Sequence, residues 1–184
     1  MSIATLFLDR DGVINSEIHN DYVKTWDQFI FEPHIFDALQ LLQEKFERII
    51  VVTNQRGVGA GFMTQEALDN IHNKMVEQCK DRDIIIHKVY AATDEDRNSS
   101  KRKPSPYMGL CAQEDFPEID FHNSLMVGNS PSDMDFGKAL QMRTLFIDDK
   151  RKFTNVSLIK NADFEADSLF EFAIRVQNRT LEIF

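Results

Sequence analysis

A chain of 184 residues, 42% hydrophobic and 28% charged, has the size and balance of one folded domain, 1–184, with room for a small insertion. It is neither disordered by composition nor so small that it needs staples, since a chain this long buries roughly 70% of the surface its unfolded form exposes. The formal net charge of -9 argues against broad binding to nucleic acid or to an anionic membrane, both of which reward clustered Lys and Arg. It leaves room for a small anionic substrate, because a metal and a few lysines reverse the field locally.

Taken in chain order, short apolar runs alternate with longer helical periods, which predicts an α/β fold: a mostly parallel, Rossmann-like sheet with helices on both faces. Ile3 to Leu8 is an apolar run that ends at Asp9. The segment 15–31 falls outside the alternation and contains Tyr22, Trp26 and Phe29, so it is either a flap over a site or a loop folded onto the core. His34 to Phe46 carries a helical stripe of Ile35, Phe36, Leu39, Leu42 and Phe46. Arg48 to Val52 reads as a buried strand. Thr64 suits the cap of a helix whose apolar face is Leu68, Ile71, Met75 and Cys79. Ile84 to Val89 reads as a third strand, and the polar stretch Thr93 to Lys103 as a solvated loop. A helix over Pro106 to Glu114, a strand at Leu125 to Val127, a helix over Ser132 to Leu140, a strand at Thr144 to Ile147 and a closing helix at Leu169 to Val176 complete the series. The last residues, Thr180 to Phe184, either pack or fray.

No run of about 18 apolar residues is present, and the chain does not begin with a basic region leading into an apolar one. Cys79 and Cys111 are isolated from each other and from metal-ligand spacing, which fits a reducing compartment. The cytoplasm is the expected location, with no membrane partner. The oligomeric state is left open.

Four stretches carry chemistry. In Leu8-Asp9-Arg10-Asp11-Gly12, two carboxylates follow a buried strand, and a glycine then lets the chain turn away. Ligands gather at the carboxyl ends of strands in an open parallel sheet. Two acids there are costly unless a cation sits between them, and a hard cation such as magnesium suits them. One carboxylate can then attack phosphorus while the other handles the leaving-group proton. Alone, such a turn is as often a plain Asp-rich surface turn. The second stretch, Ile49 to Gln55, delivers Thr53 and Asn54 to the same edge, where a hydroxyl and free amides suit phosphate oxygens. Gly57, Gly59 and Gly61 follow, and by themselves they signal no more than a turn. The third is Lys103-Pro104, expected to open a helix with Lys103 pointing at the sheet edge, where it can neutralise phosphate and carboxylates; a lone Lys-Pro is by itself a weak signal. The fourth, Gly128-Asn129-Ser130-Pro131-Ser132-Asp133, is a strand end with polar oxygens, which plain capping by Ser132 and Asp133 would also explain.

Together and in this order, Asp9-Arg10-Asp11-Gly12-Val13-Ile14-Asn15, Thr53-Asn54-Gln55-x-Gly57-Val58 and Arg102-Lys103-Pro104 resemble the haloacid dehalogenase (HAD) superfamily over roughly residues 3 to 147. The resemblance is strongest to the subgroup that holds the histidinol-phosphate and heptose bisphosphate phosphatases. It implies a magnesium-dependent phosphomonoesterase that works through an aspartyl-phosphate on a small phosphorylated metabolite. Asp9 would be the nucleophile and Asp11 the acid/base. Thr53, Asn54, Arg102 and Lys103 would meet the substrate. Magnesium would be held by Asp9, by the backbone carbonyl of Asp11, and by Asn129 or Asp133.

Two departures stand out. The subgroup's Cys/His zinc loop has no counterpart in Tyr90 to Lys101, which contains neither residue type, so no zinc is expected. Asn129 stands where the family usually has a metal-binding Asp. That second departure keeps open a non-catalytic phospho-ligand binder and, more remotely, a carbon-halogen hydrolase, against which Asp11 speaks.

Overall fold

Successive residues of the central strands face opposite sides of the sheet, and both sides are apolar. Leu6, Leu8, Ile49, Val51, Leu125, Val127, Leu145 and Ile147 join one buried cluster, while Phe7, Ile50, Val52 and Met126 join the other. This period of two, apolar on both faces, is what a parallel sheet covered by helices on each side requires. The computed structural model describes residues 3–148 and 162–184. The strands are β1 (Ile3–Leu8), β2 (Arg48–Asn54), β3 (Lys88–Ala92), β4 (Ile119–Gly128), β5 (Arg143–Ile147) and β6 (Phe164–Ala166). They form one sheet in the order β3-β2-β1-β4-β5-β6 with every neighbouring pair parallel. The order reverses between β1 and β4, and the crevice outside the ends of these strands is where such sheets bind ligands.

Helices α1 (Ile35–Gln43), α3 (Gln65–Lys80) and α6 (Leu169–Gln177) bury their apolar stripes on the first face. Helices α4 (Tyr107–Asp115) and α5 (Pro131–Ala139) cover the second, and the four-residue α2 (Arg56–Gly59) follows β2 directly. Thr64 caps α3 as expected, accepting the Ala67 N–H at 3.1 Å. Among the described residues no helix is long and apolar enough to cross a membrane.

Several expectations are corrected. The third strand is not at Ile84 to Val89 but four residues on, at Lys88–Ala92. Ile84 and Ile86 are buried and Ile85 is exposed, which gives a strand-like alternation, but the Ile84 N–H closes the end of α3 on Cys79 rather than joining a ladder. Lys103 and Pro104 do not open α4, which begins at Tyr107 with Pro106 at its cap. The cap of α5 is Ser130, not Ser132: the Ser130 hydroxyl and Asp133 carboxylate form a capping box around Pro131. The Leu125 to Val127 strand is the end of a ten-residue β4, and β6 was not anticipated.

The segment 15–31 is closed at its base by an Asn15–Phe31 bridge, and the Ser16 N–H donates to the Ile30 carbonyl at 2.7 Å. Phe29 lies between Trp26 and Phe31 (ring centroids 5.1 and 5.0 Å), and Phe31 meets Phe36 of α1 at 4.6 Å. Its middle, from Glu17 to Val23, faces the crevice at the strand ends. The segment is thus anchored to the core by its aromatics and also forms a wall of the cavity.

Candidate active site

Asp9 follows β1 at the point where its backbone N–H still donates to Val127 of β4 at 2.9 Å. Next to it lies a cavity of about 230 Å³, lined by Asp9, Asp11, Thr53, Asn54, Lys103, Asn129 and Asp133 together with Glu17, Asp21 and Tyr22 of the 15–31 segment. Residues from four separate stretches therefore meet at one place. Of the residues expected to act, only Arg102 is absent from the cavity wall: it makes a long Nη1 bond of 3.4 Å to the Asp94 carbonyl.

Lys103 is the hub. Its ammonium lies 2.9 Å from Asp9 Oδ1 and 2.6 Å from Asp133 Oδ1, and it donates to the Val52 carbonyl at 2.7 Å, so that all its donors are used. Burial disfavours its charge, but Asp133 and Asp9 outweigh that and raise its pKa. Burial also pushes the Asp9 carboxyl up to about 7, with Asp133 adding to the rise and Lys103 opposing it. A second cation beside Asp9 would act in the same direction as Lys103 and favour the ionised carboxylate.

Asp11 is held differently. Burial works against its charge, but the Arg10 guanidinium, with hydrogen bonds from Asn15 and Gln55, wins and lowers its pKa. Arg10 Nη2 reaches both Asp11 oxygens at 2.8 and 2.9 Å. Asn15 donates to Oδ1 at 2.9 Å and Gln55 to Oδ2 at 2.8 Å. Arg10 is fully buried, and its Nη1 lies 3.1 Å from His72 Nε2 of α3. Arg10 has only donors, so His72 must present that nitrogen unprotonated, consistent with a His72 pKa pushed down to about 4 by burial and then by Arg10.

Thr53 lines the cavity, and its hydroxyl accepts from Gln55 at 2.8 Å. The Asn54 amide is turned to the Lys103 backbone at both its ends. Asp133 Oδ2 accepts from the Ser130 N–H and hydroxyl at 3.0 and 2.7 Å, and Oδ1 faces Lys103, so both its oxygens are engaged. Gly128 makes this possible: a Cβ there would run into the Asp133 carboxylate. Asn129 lies over Gly12, whose φ of +83° and missing Cβ let the amide pack onto its backbone.

These donors fit a magnesium ion. Magnesium asks for few protein ligands, one or two carboxylates with neutral oxygens and substrate phosphate making up the rest, and among the described residues no group of three or more His, Cys, Asp or Glu is placed to hold a metal by itself. Sequence reasoning passed over Arg10, Gln55, His72 and Glu17. Gln55 stood in the Thr-Asn-Gln motif and Arg10 between the two aspartates. His72 and Glu17 carried no local signal.

The family model described as polynucleotide kinase 3 phosphatase matches residues 3–180. The D-glycero-alpha-D-manno-heptose-1,7-bisphosphate 7-phosphatase of Mycobacterium tuberculosis (strain H37Rv) is 34% identical over 172 residues, covering 93% of this chain and 90% of that one. Among solved structures, D,D-heptose 1,7-bisphosphate phosphatase from B. bronchiseptica, complexed with magnesium and phosphate, superposes with a TM-score of 0.83 at 22% identity over 97% of this chain and 99% of its own. A HAD-superfamily hydrolase of Geobacter sulfurreducens shares the fold at a TM-score of 0.60 and 15% identity over 93% and 98%.

Proposed function

The chain belongs to the polynucleotide kinase 3 phosphatase family within the HAD superfamily and is a phosphatase; from that premise we propose that it is a magnesium-dependent phosphomonoesterase acting on a small sugar phosphate through an aspartyl-phosphate on Asp9. The observation that carries this is the Asp9 carboxylate held 2.9 Å from a buried Lys103 at the reversal point of the sheet, with Thr53 lining the same cavity.

Magnesium, held by Asp9, the Asp11 backbone carbonyl and Asn129, would supply positive charge against the phosphate oxygens. Asp133 is left to Lys103 and Ser130, which favours Asn129 as the ligand. Lys103 neutralises the incoming phosphate, and the Thr53 hydroxyl donates to one of its oxygens. An Asp9 oxygen attacks phosphorus in line, the bond from phosphorus to the sugar oxygen breaks, and Asp11 delivers a proton to the departing oxygen. Water then attacks the same phosphorus, Asp11 takes its proton, and the bond to Asp9 breaks to release phosphate. Asp11 is poised for the second step, since Arg10, Asn15 and Gln55 favour its charged form. To serve in the first it must turn from these partners toward the leaving oxygen, which removes the contacts that hold it charged.

The class of substrate is supported by the relatives' names and by the wall of the cavity. Glu17, Asp21 and the Tyr22 hydroxyl offer hydrogen-bond partners for sugar hydroxyls. The same acidic wall and the net charge of -9 oppose a polyanionic nucleic acid. The two free thiols, Cys79 and Cys111, suit the cytoplasm. The alternative of a non-catalytic phospho-ligand binder, raised by Asn129, loses its ground once Asp9, Asp11, Thr53 and Lys103 meet in one cavity.

A substrate panel tests the proposal: sugar mono- and bisphosphates, histidinol phosphate and a 3′-phosphorylated oligonucleotide, each with magnesium and with EDTA. Sugar phosphates should give the highest kcat/KM, EDTA should abolish it, and magnesium should restore it. A preference for the oligonucleotide would replace the sugar with a nucleic-acid end.

A further inference from the structure

Resting on the magnesium reading, the charges at the site come out one short. Two buried cations, Arg10 and Lys103, offset two of the three carboxylates Asp9, Asp11 and Asp133, Asp21 in the cavity wall is paired with Lys24, and Asn129 is neutral. A single negative charge is a weak match for a divalent ion. We propose that Glu17, carried in from the 15–31 segment, is a positioning residue for the metal. It turns the Asn129 amide so that its oxygen faces the ion, and it supplies the charge that Asn129 lacks.

Three observations lead there. Asn129 Nδ2 donates to Glu17 Oε2 at 3.3 Å. A carboxylate can only accept, so the nitrogen end of the amide is the one held by Glu17, and Oδ1 is turned from it. The nitrogen end is also the one nearest Gly12: a Cβ there would meet Nδ2 first, with Oδ1 the farthest of the three amide atoms. Both Glu17 and Asn129 line the Asp9 cavity, although 112 residues separate them in sequence. A carboxylate one hydrogen bond behind a metal ligand raises the electron density on that ligand and fixes its orientation. The chain thus divides between two residues, one on β4's end and one on the flanking segment, what a single Asp would do alone.

The test is direct binding of Mn2+ to the full chain, read from the electron paramagnetic resonance signal of the free ion, so that no turnover is needed. Glu17→Gln should weaken Mn2+ binding about tenfold, the usual scale for losing a partner behind a metal ligand. Asn129→Asp should tighten it. In the Asn129→Asp background, Glu17→Gln should change it by less than twofold or tighten it further, because two carboxylates would then face each other. Equal weakening in both backgrounds would make Glu17 a general surface charge and overturn the positioning role. Asp9→Asn separates this inference from the reading it rests on. If Asp9→Asn abolishes Mn2+ binding while Glu17→Gln leaves it within twofold of the wild type, the metal site stands and the role of Glu17 falls. If Asp9→Asn leaves binding intact, the metal reading falls and takes the inference with it. Glu17 is exposed, so its substitution leaves the core untouched.

Discussion

Asn54 and Lys103 hold one another through two hydrogen bonds: the Asn54 amide donates to the Lys103 carbonyl at 3.1 Å, and its oxygen accepts the Lys103 backbone N–H at 3.0 Å. This clasp ties the end of β2 to the loop ahead of α4 and sets the stem from which the ammonium reaches Asp9. Asn54→Ala should therefore loosen Lys103 more than it loosens the fold. Misplacement by about 1 Å can cost a hundredfold in rate, so kcat should fall roughly 10- to 100-fold. Steady-state kinetics beside thermal unfolding measure both. Unchanged kcat would mean that the clasp does not position Lys103.

Lys103→Met would leave Asp9 and Asp133 buried with nothing between them. Removing one partner of a buried ion pair costs about 3–5 kcal/mol. Urea unfolding in EDTA should show a loss of that order. A loss under about 1 kcal/mol would mean that Lys103 does not stabilise the pair of acids in the folded chain.

Asp9→Asn should end turnover, since an amide is a poor nucleophile toward phosphorus. Beryllium fluoride should add to Asp9 in the wild type and not in the variant, as seen by fluorine NMR. Asp11→Asn should slow turnover about 100- to 10,000-fold, the range for general acid/base catalysis. A change below tenfold would remove Asp11 from proton transfer and leave it as a partner of Arg10.

The contact of His72 with Arg10 predicts a pH dependence of stability. The folded pKa of about 4 lies below the ordinary 6.5. Between these values the unfolded chain takes up a proton that the folded chain refuses. Stability from His72 is therefore complete above about pH 6.5 and is lost as pH falls toward 4, by roughly 3 kcal/mol in all. Chemical unfolding from pH 7 to 4.5 should show the decline. His72→Gln, which keeps an acceptor for Arg10, should remove that part of it. Parallel profiles for the two proteins would show that His72 does not carry the effect.

Local sequence sufficed wherever a residue's role follows from its own strand or turn. The apolar run before Asp9 and the β-branched run before Thr53 placed both at strand ends, because a buried parallel strand leaves few other readings. The third strand slipped because Ile84 and Ile86 alternate in burial without pairing, and burial pattern alone does not report hydrogen bonds. Ser130 and Ser132 both suit the cap of α5, and only the backbone decides which one Asp133 can reach.

What the tertiary structure alone decided is which polar groups are already spoken for. Nothing near Asn54 in sequence says that its amide serves Lys103, 49 residues on. Nothing near Asp11 says that Arg10 is itself braced by His72 from α3. Nothing near Asn129 says that a glutamate 112 residues earlier returns to it. Motifs record chemistry that neighbours along the chain can carry. The allocation of donors, acceptors and charge in a buried site is settled between distant segments, because inside the protein each polar group must find its partner wherever the fold brings one.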